Sequence, residues 1–194
     1  MKYHTPKSED EILPNKLGLT DPEKIAEEEY RGFLRVDIKF ESELDSITSF
    51  EWELLSSIHR TALGHLYKFA GELRQVNLSK AGFMFPAAKF LQSAVNEFEK
   101  AFLKSLPDSF DNSEQLVEHI APLHAELLFI HPFREGNGRT ARFFVDLIAL
   151  KTGFERFNFE NIDEKKMPDY IAAVQSAADK NYEPMITLFK SLKK

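Results

Sequence analysis

Cysteine is absent from the 194 residues, which excludes disulfide bridges and thiolate metal sites. Long hydrophobic runs are also missing. The run that ends at Leu150, for example, is interrupted by charges well short of the roughly 20 residues that a membrane span requires. The first ten residues are charged from Lys2 onward and have no apolar core, so they do not resemble a secretory signal. We therefore expect a cytoplasmic protein that does not cross a membrane.

A basic excess is missing as well. The formal net charge is -6 at pH 7 and the pI is about 5.6. A large nucleic-acid footprint usually appears as an excess or stripe of lysine and arginine, so we expect no nucleic-acid partner. There is no internal repeat and no low-complexity linker. At about 150 residues per domain, the length predicts a single domain over residues 1–194.

The hydrophobic period of most of the chain is helical. A capping pattern over residues 20–23 predicts a surface helix with a mostly charged face, running toward Arg31. Apolar residues at every third or fourth position predict one or two core helices from Ser49 to about Arg74, with Gly64 as a possible break. The same spacing predicts further helices over residues 87–106, 114–130, 163–178 and 183–192, and one that directly follows residue 138.

Residues 75–86, QVNLSKAGFMFP, break the helical period. Polar and apolar residues alternate here, a Ser-Lys-Ala-Gly cluster can form a turn, and Phe83 and Phe85 fall on the same face. This pattern predicts a short β-hairpin within an otherwise all-α domain. The simplest role for the hairpin is structural, with both phenylalanines packed into the core.

The stretch HPFREGNGRTAR, residues 131–142, lies between two helical patterns. Its Gly-Asn-Gly segment is predicted to form a tight loop from which the next helix begins. Free backbone N–H groups at a helix start bind anions, and glycine lets a phosphate approach the main chain closely. Arg139 and Arg142 are three residues apart on one helical face, so both can contact further phosphate oxygens. These features predict a polyphosphate site.

Two further side chains of this stretch suggest a reaction. Phosphates would repel Glu135 unless a cation lay between them, and Mg²⁺ commonly bridges a carboxylate to substrate phosphates. His131 is the side chain best suited to removing a proton near neutral pH. The combination predicts transfer of a phosphorus-centred group. Each part taken alone has another interpretation: Gly-Asn-Gly is commonly a turn, a histidine is commonly structural, and a pair of arginines commonly forms a solvated face. Phe133 is assigned to the core, where it would anchor the loop.

Other motif interpretations fit less well. Gly136, Gly138 and Ala141 match the G-x-G-x-x-A dinucleotide fingerprint, but that motif needs a preceding strand and a parallel sheet. A P-loop would need Gly-Lys-Ser/Thr, which does not follow at the required spacing. His119 and His124 are five residues apart, so they do not have the i, i+4 spacing of zinc ligands on one helical face.

Residues 131–142 match H-x-F-x-[D/E]-G-N-G-R-x-x-R at every specified position, which is the signature of the Fic (filamentation induced by cAMP) domain family. The rest of the chain also resembles this family. The resemblance implies a Fic-type helical bundle with a core over about 49–180 and a hairpin flap over about 75–86. The segments that carry it further are PNKLGLTDPEKIAEEE from Pro14, HRTALGHLYKFAGELRQVN from His59, GFMFP from Gly82 and YIAAVQSAADKNYEPM from Tyr170.

The resemblance implies a protein adenylyltransferase, which joins the AMP part of ATP to a Tyr, Thr or Ser hydroxyl of a target protein with Mg²⁺ as the cofactor. His131 would be the catalytic base and Glu135 the Mg²⁺ ligand. The expected nucleotide-binding residues are Gly136, Asn137 and Gly138, which would cradle phosphate oxygens, and Arg139 and Arg142, which would hold the β- and γ-phosphates. Gly82, Phe83, Met84 and Phe85 would form the flap edge, on which a target segment docks as an added strand.

The resemblance leaves several alternatives open. Phosphorylating members of the family carry lysine at the position of Gly138, so glycine favours AMP transfer. Transfer of another nucleotide or of phosphocholine, and a catalytically idle domain that binds a nucleotide or a partner, are the other possibilities. Family members of this size are often bacterial, and some are toxins held by a separate inhibitor protein.

A regulatory prediction concerns residues 176–181, SAADKN. Many Fic proteins carry an inhibitory helix with the pattern [S/T]-x-x-x-E-[G/N], whose glutamate pairs with the second motif arginine. Ser176 and Asn181 fit this pattern, but Lys180 stands at the glutamate position and would repel Arg142. On this interpretation the chain has no inhibitory glutamate of its own, so it is either constitutively active or inhibited by a separate protein. The alternative is an ordinary helix end.

Overall fold

The computed structural model describes residues 12–80 and 82–193. The N-terminal stretch used for the targeting argument and Ala81 of the predicted hairpin lie outside the described residues. Within them, the chain forms seven α-helices and one two-stranded antiparallel hairpin, so the predicted fold class is confirmed. The helices are α1 Pro22–Ser42, α2 Trp52–Leu63, α3 Leu91–Phe98, α4 Ser113–Ile130, α5 Asn137–Lys151, α6 Met167–Ser176 and α7 Glu183–Leu192, and the strands are β1 Ser79–Lys80 and β2 Phe83–Met84.

Helix α1 begins as its sequence predicts. The Asp21 carboxylate caps the helix by accepting a hydrogen bond from the Glu23 N–H at 2.9 Å, and a proline occupies the first turn. The helix continues to Ser42, well past Arg31, because apolar residues such as Phe40 on its second half are buried against the core. It packs against α2 and reaches the start of α5.

Segment 49–74 contains one core helix. α2 ends at Leu63, and the Gly64 N–H closes its last turn on the Arg60 carbonyl at 2.8 Å. The chain then turns back through residues 64–78 to the hairpin, in which Ser79 pairs with Met84 and Lys80 with Phe83. Gly64 is therefore the break that the sequence suggested.

Helix α4 lies at the centre of the bundle. Asn112 caps its first turn by accepting from the Gln115 N–H at 2.9 Å. Its apolar residues are buried on nearly all sides, and it contacts α3, α5, α6 and α7. α3 is shorter than the predicted helix, because a 3₁₀ turn precedes it and a π turn over Glu99–Leu103 follows it. Of the helices described, none is both long and apolar enough to span a membrane.

Candidate active site

His131 occupies the C-terminal cap of α4. Its N–H still bonds the Leu127 carbonyl at 3.1 Å, but its backbone is left-handed, with φ 51° and ψ 58°. The helix cannot continue, because Pro132 has no N–H to donate. A left-handed conformation is uncommon for a residue other than glycine, and such residues are often found at functional sites. The turn directs the chain from the core helix into the motif loop.

The His131 imidazole is almost fully buried, with 2% of the residue exposed. Nδ1 lies 3.1 Å from the Leu128 carbonyl oxygen, which can only accept, so Nδ1 carries the proton and Nε2 the lone pair. Burial lowers the pKa of His131 to about 3, and the charges of Arg74 and Lys80 act in the same direction. The ring is therefore neutral at physiological pH and can accept a proton on Nε2.

The loop after His131 is held together by Asn137. The Asn137 side-chain oxygen accepts from the Phe133 N–H at 2.8 Å, and its nitrogen donates to the Phe133 carbonyl at 2.7 Å. Phe133 is 1% exposed, which confirms its assignment to the core. Both polar atoms of the Asn137 side chain are thus bound to Phe133, so the predicted phosphate contact of this residue would have to come from its backbone. The backbone N–H of Asn137 is the group that can reach an anion.

Gly136 has φ +75° and lies directly before α5. A Cβ at this position would lie 2.6 Å from Cδ1 of Leu63, so a larger residue would force the loop away from α2. The Thr140 N–H donates to the Gly136 carbonyl at 3.0 Å and starts the helical hydrogen-bond pattern. The N–H groups of residues 137–139, which include Gly138, have no carbonyl acceptor within the helix. Such groups at a helix start can bind an anion, and we call them the candidate anion site.

Glu135 lies beside this anion site. Its Oε1 accepts from the Gly136 N–H at 2.8 Å and is 3.5 Å from Nη2 of Arg139. Burial raises the pKa of Glu135, and the Glu29 carboxylate adds to the rise, while the Gly136 bond and the Arg139 charge oppose it. Carboxylate oxygens suit Mg²⁺. No three His, Asp or Glu side chains gather as a metal cluster in residues 12–80 and 82–193, so phosphate and water oxygens would have to supply the other ligands.

Arg139 is bound by a residue that sequence reasoning missed. Glu29 of α1 places Oε2 2.7 Å from Nη2 of Arg139 and accepts from the Tyr67 hydroxyl on its other oxygen at 2.6 Å. The guanidinium also lies 4.9 Å above the Phe33 ring. Glu29 and Arg139 are 110 positions apart in the chain, and no local pattern relates them. Arg139 therefore connects α1 to the motif helix, and a bound phosphate would share it with Glu29.

Arg142 lies one turn further along α5. Its guanidinium lies 5.9 Å from the centre of the Phe159 ring. Nε is buried and has no hydrogen-bond partner among the described residues. Buried donors in native proteins are nearly always paired, so this arginine nitrogen has an unusual environment. This geometry is compatible with the predicted phosphate contact of Arg142.

The four predicted flap residues have different environments. Gly82 has φ +80° in the turn, and Met84 is 59% exposed. Phe83 is half-buried and contacts Phe85 edge to face. Phe85 is 8% exposed and stacks on the His131 ring with centroids 4.0 Å apart. The structural alternative therefore applies to Phe85, which packs beneath the imidazole, while Met84 and the turn remain accessible.

Arg74 is a second residue that sequence reasoning missed. It is 2% exposed, and its guanidinium donates to the carbonyls of His131 at 2.7 Å, Val76 at 2.7 Å and Pro86 at 2.6 Å. Its own N–H donates to the Pro132 carbonyl at 2.9 Å. Burial lowers the pKa of Arg74 to about 10. The side chain joins both ends of the flap to the motif loop.

His59 of α2 supports the same loop from the other side. The Gly71 N–H donates to its Nδ1 at 2.8 Å, so Nε2 carries the proton and donates to the Glu135 carbonyl at 2.8 Å. The ring stacks on Phe133 with centroids 3.9 Å apart. Burial lowers the pKa of His59 to about 4. His59 is therefore a neutral side chain that connects the backbone at Gly71 to the backbone at Glu135 by hydrogen bonds.

Residues 176–181 form a helix C-terminus. Lys180 is left-handed with φ 56°, the Asn181 N–H bonds the Ser176 carbonyl at 3.1 Å, and the Lys180 N–H bonds the Ala177 carbonyl at 3.0 Å. This is the Schellman arrangement that ends many helices. The Lys180 ammonium lies 2.6 Å from the Glu126 carboxylate of α4. The geometry matches the ordinary helix end that was the alternative, and the regulatory role of this segment stays a prediction.

Comparison with known proteins places this site in a family. The chain is 35% identical over 98 residues to a protein from Nematostella vectensis named protein adenylyltransferase Fic, which covers 50% of this chain and 22% of that protein. The chain spans about a fifth of the length of several curated relatives that it matches. The activity of those whole proteins is therefore not assigned to the chain by this likeness alone.

Solved structures share the fold. The N-terminal Fic domain of Bep8 from Bartonella sp. 1-1C superposes with a TM-score of 0.79 at 20% identity, covering 98% of this chain and 94% of that one. BepC from Bartonella tribocorum, solved with bound AMPPNP, gives a TM-score of 0.73 at 22% identity, covering 94% and 92%. The sequence profile of the Fic/DOC family matches residues 49–149, which include the hairpin, helix α4, the whole motif loop and most of α5. The chain belongs to the Fic/DOC family.

Proposed function

We propose that this chain is a protein adenylyltransferase that transfers AMP from ATP to a hydroxyl of a target protein. The observation that carries the proposal is the orientation of His131, whose Nε2 has the lone pair and which lies next to the anion site at the start of α5. The name of the Nematostella vectensis relative supports the same reaction. Gly138, where phosphorylating family members carry lysine, favours AMP transfer over phosphoryl transfer.

In the proposed step, a target hydroxyl oxygen attacks the α-phosphorus of ATP. The hydroxyl proton moves to Nε2 of His131, the new O–P bond forms, and the bond from the α-phosphorus to pyrophosphate breaks. A pKa lowered by burial makes His131 a weak base in the free protein. The negative charges of a bound triphosphate would raise that pKa and so strengthen the base during the reaction.

The anion site would position the nucleotide. The N–H groups of residues 137–139 at the start of α5 would bind phosphate oxygens, and Arg142 would contact the β- and γ-phosphates. Glu135 would hold Mg²⁺, which when bound neutralises part of the charge on the leaving pyrophosphate. The AMPPNP bound to BepC and the ADP bound to a Fic domain from Bartonella quintana support a nucleotide at this site.

The flap would orient the target. In the described part of the chain the sheet has only two strands, so each strand has an outer edge that an extended target segment could pair with. Backbone pairing would place a target hydroxyl near His131 without requiring much of the target sequence. The exposed side chain of Met84 would contact such a segment.

The test compares ATP labelled at the α-phosphate with ATP labelled at the γ-phosphate, each incubated with the purified chain, Mg²⁺ and a cell lysate. AMP transfer predicts protein-bound label from the α-phosphate only. Label from the γ-phosphate only would mean phosphoryl transfer. ATP binding without either label on protein would favour the idle nucleotide-binding domain instead. Competition by unlabelled GTP and CTP would report the base preference.

A further inference from the structure

Two buried polar side chains, on α4 and α6, lie close to each other and to the charge of Arg142. Tyr170 of α6 is 6% exposed and places its hydroxyl 2.7 Å from Nε2 of His124, a fully buried residue of α4. Tyr170 lies beyond residues 49–149, to which the family profile matches. Burial raises the pKa of Tyr170 to about 12, and the charge of Arg142 and its hydrogen bond to the phenol oppose that rise.

The direction of these hydrogen bonds follows from the groups involved. Arg142 can only donate, so the Tyr170 oxygen accepts from it and the phenol proton points at Nε2 of His124. Nε2 must then have the lone pair, and the buried Nδ1 carries the proton. Burial lowers the pKa of His124 to about 3, and the Arg142 charge lowers it further, so the neutral ring that this arrangement needs is the stable form.

Aromatic rings pack against Arg142 and His124. Phe159 lies against the Arg142 guanidinium and is stacked on His124, with centroids 5.7 Å apart. The Phe189 ring of α7 also lies against His124, with centroids 5.1 Å apart. Rotation of the imidazole would displace these rings. His124 is therefore held in place, and its bond orients the Tyr170 hydroxyl.

We propose that Tyr170 is a positioning residue for the nucleotide: it aims Arg142 at the β- and γ-phosphates, and His124 fixes the Tyr170 hydroxyl. The inference rests on the proposed function, because it assigns the phosphates to Arg142. It agrees with the burial of the Arg142 Nε, which has no hydrogen-bond partner among the described residues. It also makes α6, outside the family motif, part of the phosphate-binding apparatus.

A purely structural role would give a different result. If the Tyr170–His124 bond only attaches α6 to α4, its loss lowers stability but changes the affinity for every nucleotide equally. If Tyr170 positions Arg142, its loss weakens only nucleotides that carry the phosphates Arg142 contacts. The ratio of ATP affinity to AMP affinity therefore distinguishes the two roles, because AMP has no β- or γ-phosphate.

The experiment measures ATP and AMP binding by calorimetry for the wild type, Tyr170→Phe and Tyr182→Phe. Tyr182 is a matched control, since its hydroxyl also bonds a buried group, Glu126, at 2.8 Å, on another side of α4. Removing one hydrogen bond from the Arg142 environment predicts a loss of ATP affinity of roughly five- to tenfold for Tyr170→Phe. AMP affinity should be unchanged, and Tyr182→Phe should change neither.

His124→Gln provides a second variant, because a glutamine oxygen can replace Nε2 as the acceptor and should retain more of the ATP preference than His124→Leu. If the ratio of ATP affinity to AMP affinity is the same in the wild type and in Tyr170→Phe, the inference is overturned, even if the melting temperature of the variant is lower. A wild type that does not prefer ATP to AMP would overturn the phosphate assignment of Arg142 and, with it, the proposed nucleotide site. The wild-type measurement thus distinguishes a failure of the Tyr170 inference from a failure of the proposed nucleotide site.

Discussion

At the scale of single residues, the site depends on side chains whose hydrogen bonds fix their orientation. His131 uses Nδ1 to bond the Leu128 carbonyl, so its lone pair is on Nε2. The motif residues could be assigned from the sequence, because they lie within twelve positions and each has a chemically specific side chain. Glu29 and Tyr170 could not, since they reach the site from distant helices and only tertiary packing relates them to the motif.

A prediction at this scale concerns Glu135. Glu135→Gln removes the charge and keeps the size, so it should weaken ATP binding in the presence of Mg²⁺ more than binding of metal-free nucleotide. Because burial already raises the pKa of Glu135, the neutral amide should be tolerated by the fold. Calorimetry with and without Mg²⁺ measures both affinities. Equal losses in the two conditions would remove Glu135 from metal binding.

At the scale of secondary-structure elements, the flap combines two roles that the sequence could not separate. The alternation of polar and apolar residues predicted that Phe83 and Phe85 share a face, but it could not predict how deeply each side chain is buried. In the structure Phe85 is buried against the His131 ring, and Met84 is exposed. Hydrophobic period identified the helices and the hairpin, because it reports which faces are buried. It could not find the π turn after α3, where local hydrogen bonds decide the backbone path.

The flap roles can be separated by substitution. Met84→Ser should lower the rate of target modification and leave the melting temperature nearly unchanged, because the side chain is exposed. Phe85→Ala should destabilise the protein by about 3 kcal/mol, since it removes a buried aromatic ring. Thermal unfolding and label transfer on the same preparations give both quantities. Normal target modification by Met84→Ser would argue against substrate docking at this edge.

Arg74 provides a prediction about how the flap is attached. Arg74→Lys keeps the charge, but a single ammonium cannot reach the Val76, Pro86 and His131 carbonyls as the guanidinium does. We expect faster amide hydrogen exchange in residues 75–86 and slower target modification, with ATP affinity preserved. Arg60→Lys, at an arginine whose side chain is 54% exposed, is the control. Unchanged flap exchange in Arg74→Lys would show that these bonds do not hold the hairpin.

At the scale of the whole molecule, three buried neutral histidines make the fold sensitive to acid. Burial lowers the pKa values of His59 to about 4 and of His124 and His131 to about 3. Below pH 6.5 the unfolded chain binds protons on these rings that the folded chain does not, so stability falls as pH decreases toward 4. The helical bundle is thus most stable when its site histidines are neutral.

Urea unfolding between pH 7 and pH 5 tests this account. Each histidine contributes a slope of up to about 1.4 kcal/mol per pH unit once the unfolded form is protonated. Glu135, whose pKa burial raises, opposes the trend. His124→Gln should reduce the slope by about the contribution of one group. A free energy of unfolding that does not change over this range would mean that the rings gain protons without cost in the folded state.

The central claim, that His131 is the base for AMP transfer, is tested most directly by the transfer rate of His131→Asn at saturating ATP. Asparagine tolerates the left-handed backbone of this position better than most residues, so the loop should keep its shape. The account predicts that transfer of AMP labelled at the α-phosphate to protein falls by at least about 100-fold, the usual contribution of a general base. ATP affinity, measured on the same preparation, should stay near that of the wild type. Undiminished transfer by this variant would contradict the claim.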